Sequence, residues 1–337
     1  MKSILITGGT GFFGKSFVKH ILEKKDFKRI VIFSRDEFKQ FEMQNELKFN
    51  KNYGKLRFFV GDIRDLDRLK IASKNIDIII HAAALKHVPT AEYNPFEFVK
   101  TNIIGSENVV KASLDNSVKK IISISTDKAV SPLNLYGATK LVADKIIISA
   151  NQYASENRSI FSVVRYGNVI NSRGSVIPFF KEFIKTNKFF PITNSEMTRF
   201  WISIEDCIKF VEDTLQIMIG GEIFIPKIPS MKITELAKAI NPKLPLKEIG
   251  IRPGEKIHEI MISNDDARNT FETKDRYIIE PEFLNLTKRR LKIENRFKEK
   301  IKKVPTDFFY SSGTNKKWLS KKDIEKTLKK IYEKNSI

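Results

Sequence analysis

Residues 2–14, KSILITGGTGFFG, decide the fold. Five residues of short apolar run meet a glycine-rich turn, and Phe17, Val18, Ile21 and Leu22 then recur at helical spacing. A strand, a glycine turn and an amphipathic helix form the context in which such a loop binds a dinucleotide. Glycines let the backbone turn tightly and approach a pyrophosphate, and the helix N-terminus offers it free N–H groups. Gly8, Thr10, Gly11, Phe12, Phe13 and Gly14 are therefore candidate cofactor contacts.

Further strands follow at the spacing of a βαβ chain. Ile30–Phe33 ends in Ser34-Arg35-Asp36, where the second strand passes the adenosine ribose. An acid there would hold the ribose hydroxyls, whereas Ser34 and Arg35 suit a 2′-phosphate; the expectation is NADP, with Asp36 keeping NAD open. A third strand, Leu56–Val60, ends near Asp62 and Ile63, and Asp62 suits either an adenine amino group or a helix cap. The fourth runs from Ile76 into His81-Ala82-Ala83-Ala84, where small residues such as Ala83 let a cofactor lie close. His81 is read as a buried, satisfied histidine without chemistry. Lys86 follows on a loop, then a helix over 95–113 that carries Thr101 and Asn102.

A fifth strand from Lys120 delivers Ser125-Thr126-Asp127-Lys128, and a sixth, Phe161–Tyr166, leads to Asn168 and Val169. Strands alternating with helices predict an α/β protein with a doubly wound parallel (Rossmann) sheet, its ligands at the C-terminal strand ends. The expected division is a nucleotide-binding domain over 1–167 with a returning strand near 222–226, a smaller substrate lobe over 168–265, and a peripheral charged segment over 266–337.

The chain has 337 residues, enough for a sizeable core, and one cysteine, Cys207, which excludes an intrachain disulfide. No apolar run approaches the roughly 20 residues of a membrane span, and no signal-peptide pattern opens the chain, so a cytoplasmic protein is expected. The net charge of +20 raises nucleic acid as a partner, but the lysines are spread and mixed with acids, as on a solvated surface. No nucleic-acid or membrane partner and no metal site is expected.

The chemistry sits behind the fifth strand. Tyr136 and Lys140 are four apart and share a helix face. An ammonium beside a phenol stabilises the phenolate, which predicts a lowered Tyr136 pKa and a base at neutral pH. Asp127 and Lys128 add an acid and an amine. To act as a base, the lysine must fall below its usual value of about 10.4, which burial and neighbouring cations would achieve.

The pattern T-G-x-x-G-x-x-G with Tyr136-x-x-x-Lys140 resembles the extended short-chain dehydrogenase/reductase superfamily. The stretches HAAALKHVPTAEYNP, STDKAVSPLNLYGATK, RYGNVINSRGSVIPFF, MTRFWIS, GGEIFIPKIPSMK and GIRPGEK closely resemble inverting UDP-N-acetylglucosamine 4,6-dehydratases of the pseudaminic-acid type, over about residues 4–265. Thr126-Asp127-Lys128 discriminates: glucose-type dehydratases more usually show Thr-Asp-Glu, and simple 4-epimerases lack the acid and second base. The resemblance implies Tyr136 and Lys140 acting at C4, Lys128 taking the C5 proton, Asp127 donating to the C6 hydroxyl and Thr126 bonding the sugar. It also implies that Lys86, Thr101, Asn102, Asn168, Arg173, Thr198 and Arg252 hold UDP-N-acetylglucosamine, that Val169 meets the nicotinamide, and that the protein is a homo-oligomer, a hexamer being one assembly. On chemistry alone Arg199 is an equal anion ligand. The competing expectations are a C5-retaining dehydratase, a UDP-sugar 4-epimerase and, in another class, a non-catalytic NADP-sensing or nucleic-acid-binding module.

Overall fold

The computed structural model describes residues 1–154, 159–172, 174–186, 188–282, 294 and 301–334. Strands β1 (Lys2–Thr7), β2 (Phe27–Ser34), β3 (Leu56–Val60), β4 (Ile78–His81), β5 (Lys120–Thr126) and β6 (Ile160–Tyr166) lie in the order 3-2-1-4-5-6, all parallel. This is the doubly wound Rossmann arrangement. Ile4, Leu5 and Ile6 are fully buried, as expected of a central strand covered on both faces, which is why β1 reads as an uninterrupted apolar run. Helices α1 (Phe12–Leu22), α2 (Glu37–Leu47) and α3 (Leu66–Ala72) make the first crossovers. A strand at Ile223–Pro226 then returns to pair in parallel with β6.

The segment over 95–113 is helical as expected, but with a change of winding inside it. Pro95–Phe98 passes into a π-helical stretch, Val99–Ile104, before an α-helix at Gly105–Asp115. Gly105 sits against Ile63, whose Cδ1 a Cβ on the glycine would meet at 2.6 Å.

The segment after 266 is not peripheral. Arg276–Ile279 pairs antiparallel with the returning strand, Thr270–Glu272 pairs with it in turn, and Lys302–Lys303 closes the edge, giving ten strands. These strands are two to four residues long, too short for periodicity to announce them. The helix Lys321–Lys334 seats Ile324 and Leu328 in a second core with Ile177, Phe180, Phe190, Trp201 and Leu236. Each fully buried large apolar side chain there stabilises the lobe by roughly 1.5–3 kcal/mol.

Candidate active site

The glycine loop closes on the end of β4. Gly8 adopts φ +66°, and a Cβ there would lie 2.9 Å from the Ala83 backbone. Gly14 packs so tightly that a Cβ would meet the Gly8 carbonyl at 2.5 Å, bringing α1 down onto the loop. Gly11 is the N-cap of α1, with no side-chain cap and no acid in the first turn. The first N–H groups of that helix are thus left for an anion, which fits a dinucleotide's pyrophosphate. Thr10, Phe12 and Phe13 are half-buried on this turn, and Phe13 stacks on Phe17.

The adenosine end is more committed than the sequence suggests. Asp36 caps α2, accepting from Lys39 N at 3.0 Å and pairing with the Lys39 ammonium. Ser34 Oγ accepts from Gln40 Nε2 at 2.9 Å. Arg35 is half exposed at the strand end, with Nη1 3.6 Å from Asp62. Asp62 is held by Arg64 through Nε at 2.9 Å and Nη2 at 2.7 Å. The Ile63 side chain is core, so only its backbone is left to face a cofactor.

His81 is locked neutral. It is hydrogen-bonded to Thr7 Oγ1 at 2.8 Å and Ser106 Oγ at 3.1 Å, and burial, with Lys140 nearby, pulls its pKa down to about 3. Asn102 is also structural: its amide donates to the Leu85 carbonyl and to Thr139 Oγ1, and its oxygen accepts from Leu85 N. It ties the loop after β4 to α4 (Leu135–Tyr153), the helix that carries Tyr136, rather than facing a substrate. Thr101 is buried, with its hydroxyl unpaired within the protein.

β5 ends in Thr126, and a single 3-10 turn, Asp127–Ala129, follows. Asn134 caps α4 by accepting from Gly137 N and anchors the 250–256 turn by donating to the Gly254 carbonyl at 2.8 Å. Tyr136 and Lys140 are both buried on this helix. Lys140 Nζ donates to the Ile124 carbonyl at 2.9 Å, and burial lowers its pKa against the pull of Asp144. The expectation of a lowered Tyr136 pKa is overturned. Burial pushes the phenol up to about 12, against Lys128 and a hydrogen bond with Thr126 that favour the phenolate.

Asp127 has no exposure; its Oδ1 accepts from Thr126 Oγ1 and Lys128 Nζ, each at 3.0 Å, while Oδ2 is unpaired within the protein. Burial, with Glu259 beside it, raises its pKa despite Lys128. Lys128 moves opposite to expectation: burial disfavours its charge, but Asp127 and Glu259 together outweigh burial and Arg199, and its pKa rises. Its Nζ is 3.1 Å from Glu259 Oε1.

Glu259 escaped the sequence reading. It lies beyond the GIRPGEK turn, far along the chain from Lys128, and no local pattern marks it. Asp144 was missed as well, although its place four residues after Lys140, on the same helix face, is a local signal that could have found it. Buried, it accepts from Ser125 Oγ at 2.7 Å.

Of the substrate candidates, Lys86 is exposed on its loop, yet near enough to the cluster that desolvation and then the Lys128 charge lower its pKa. Asn168 starts the short strand beside Trp201 and has an unpaired buried Oδ1. Val169, half-buried, follows it. Thr198 is turned inward, its hydroxyl bonded to His258 Nδ1 at 2.8 Å and Ser312 Oγ at 2.7 Å. Arg199 is spent on the Thr198 and Ile257 carbonyls at 2.7 and 3.1 Å. Arg252 is half exposed above the Phe179 ring. Arg173 lies outside the described residues. Among the described residues no cluster of His, Cys, Asp and Glu is arranged to hold a metal, and no helix is long and apolar enough to cross a membrane.

The comparisons with known proteins concern nearly the whole chain. A UDP-N-acetylglucosamine 4,6-dehydratase (inverting) of Campylobacter jejuni subsp. jejuni serotype O:23/36 is 54% identical over 324 residues, 96% of each chain. A UDP-glucose 4-epimerase of Rickettsia typhi is 39% identical, covering 97% of this chain and 95% of that one. Among solved structures, Pen from Bacillus thuringiensis superposes with a TM-score of 0.87 at 37% identity over 98% of both chains. The model of a family described as polysaccharide biosynthesis protein matches residues 4–281. On that match, and on the Rossmann sheet and Tyr136-x-x-x-Lys140 helix just described, the chain belongs to the polysaccharide biosynthesis protein family.

Proposed function

We propose that the chain is an inverting UDP-N-acetylglucosamine 4,6-dehydratase using NADP. It forms UDP-2-acetamido-2,6-dideoxy-β-L-arabino-hex-4-ulose, the first step of pseudaminic acid biosynthesis, which supplies flagellar glycans. The observation that carries this is a buried acid, Asp127, and a partly buried amine, Lys128, 3.0 Å apart at the C-terminal edge of the sheet and acting electrostatically on Tyr136. The Campylobacter relative named for this reaction supports it.

Held by the glycine loop over Gly8–Gly14, a nicotinamide cofactor would supply the hydride acceptor for C4 and the hydride donor for C6. Tyr136 takes the C4 hydroxyl proton as the phenolate, the form that Lys128 and the Thr126 hydrogen bond favour against burial, with Lys140 behind it. A proton passing from Lys128 Nζ to Asp127 across their hydrogen bond makes the base and the acid together. Lys128 then removes the C5 proton; the C5–H electrons form the C5=C6 bond, and the C6 hydroxyl leaves as water with the proton of Asp127. A proton returned to C5 on the opposite face inverts that centre. Lys86, Asn168 and Arg252 line the UDP-sugar side, with Arg173 completing the diphosphate contacts. Arg35 suits a 2′-phosphate, and the engagement of Asp36 as a cap favours NADP over NAD. A cytoplasmic homo-oligomer is the setting we assign.

NMR of the product formed in D2O tests the reading. A 6-deoxy-4-keto sugar with inverted, deuterated C5 is expected. A C5-retained product replaces inversion with the retaining reaction. The Rickettsia relatives favour a second reading, 4-epimerisation, and recovery of only a C4 epimer with its C6 hydroxyl would establish it instead.

A further inference from the structure

Lys128 is the centre of a charged cluster drawn from four segments. Asp127 Oδ1 lies 3.0 Å from its Nζ and Glu259 Oε1 3.1 Å, while Arg199, Lys86 and Lys256 set cations around it and Tyr136 sits nearby. Of the two carboxylates, Asp127 must carry a proton to release the C6 oxygen, and in that state it is no longer a counter-charge. Glu259 is then the carboxylate left on the amine, facing three cations that weaken it as a base.

Glu259 is built to hold that position. Its side chain is 3% exposed, its backbone N–H donates to Ser312 Oγ at 2.9 Å, and its carbonyl accepts from Ser312 N at 2.8 Å. Arg199 competes for it only weakly: Nε stands 3.7 Å from Oε1, and the guanidinium is anchored on the Thr198 and Ile257 carbonyls. Lys256 donates to the Val130 carbonyl at 2.6 Å. The charge of Glu259 is therefore directed at Lys128, in a site where weak screening strengthens it.

We propose that Glu259 is a positioning residue for the elimination half of the reaction, fixing Lys128 Nζ and supplying its counter-charge while Asp127 is protonated. It touches neither C5 nor C6. Its influence passes through Lys128, so it governs removal of the C5 proton and leaves oxidation at C4 to Tyr136 and Lys140. Burial and the flanking cations otherwise push Lys128 down, and loss of the carboxylate would turn its raised pKa towards a depressed one.

This role rests on the dehydratase reading, and the full-length holoenzyme separates the two. C4 oxidation is followed in a single turnover by absorbance of the reduced cofactor, and C5 exchange by deuterium uptake from D2O, in E259Q and E259D across pH. Expected for E259Q is C4 oxidation within about twofold of the unmodified protein, C5 exchange down about 100-fold, and the rise of C5 exchange with pH displaced to lower pH. E259D recovers about tenfold of the loss. Unchanged C5 exchange in E259Q, an equal fall in both half-reactions, or no recovery in E259D overturns the role. No 6-deoxy-4-keto product from the unmodified protein overturns the dehydratase reading itself.

Discussion

Lys140, buried, and Lys128, only partly buried, lie within one stretch of chain, and their pKa values move in opposite directions. Lys140 is bonded to a neutral carbonyl, with Asp144 acting on it but making no ion pair with it, so burial wins and its pKa falls. Lys128 touches two carboxylates at 3.0 and 3.1 Å, so charge wins and its pKa rises. Burial alone does not set the sign; the number of carboxylates within hydrogen-bond reach does. The two amines thus serve different tasks in the proposed reaction, the first orienting a phenol and the second carrying a proton.

The sharpest way to break this division is Tyr136→Phe, which should abolish both half-reactions and lower turnover roughly 10²–10⁴-fold. Persistence of C5 exchange without C4 oxidation would show that the pairs do not act in sequence. Lys128→Ala comes next: C4 oxidation continues, while C5 exchange falls about 100-fold. A matching fall in C4 oxidation would merge the two pairs into one.

Asp144→Asn probes the other side more gently. Asp144 raises the Lys140 pKa, so its removal lowers that pKa further, and the charged amine is lost at lower pH. The alkaline limb of C4 oxidation should move down by about one pH unit. Because Asp144 also receives Ser125, a melting curve accompanies the kinetics. An unmoved limb in a folded variant would remove Asp144 from the redox pair.

The last effect concerns stability and not rate. The unfolded chain protonates His81 below about 6.5, while the folded protein does so only near 3, so the unfolded state binds the extra proton between these values. Stability should fall as pH drops through that window, by about 1.4 kcal/mol per unit at most from this residue. His81→Asn should flatten the slope in denaturant titrations at pH 6 and 4; an equal slope would assign the acid sensitivity elsewhere.

What could be read in advance follows from distance along the chain. The doubly wound parallel sheet was legible because each central strand is a buried apolar run followed at once by its loop, and Tyr136 with Lys140 because helical spacing is local; the spatial order 3-2-1-4-5-6 came only with the structure. Thr198 and Asn102 were legible as members of motifs but not as to direction. Each carries a polar group that could face a ligand, and tertiary partners, Ser312 and Leu85, turn them inward. Glu259 was illegible because its meaning lies in Lys128, a distant residue. The electrostatic signs were lost with it: neighbouring cations are present as anticipated, but the hidden carboxylate reverses their effect on Lys128.

Ser312 fastens Glu259 through both backbone groups and Thr198 through its hydroxyl. Ribosomal synthesis releases the chain from the N-terminus, so the glycine loop, β1 to β6 and the Tyr136 helix are all available to fold well before Ser312 emerges. A nascent or C-terminally clipped chain would therefore retain the parts that cradle a dinucleotide while lacking the fastening of the elimination cluster. For the proposed reaction, the segments that would cradle the cofactor therefore precede along the chain the segment that fastens the elimination cluster.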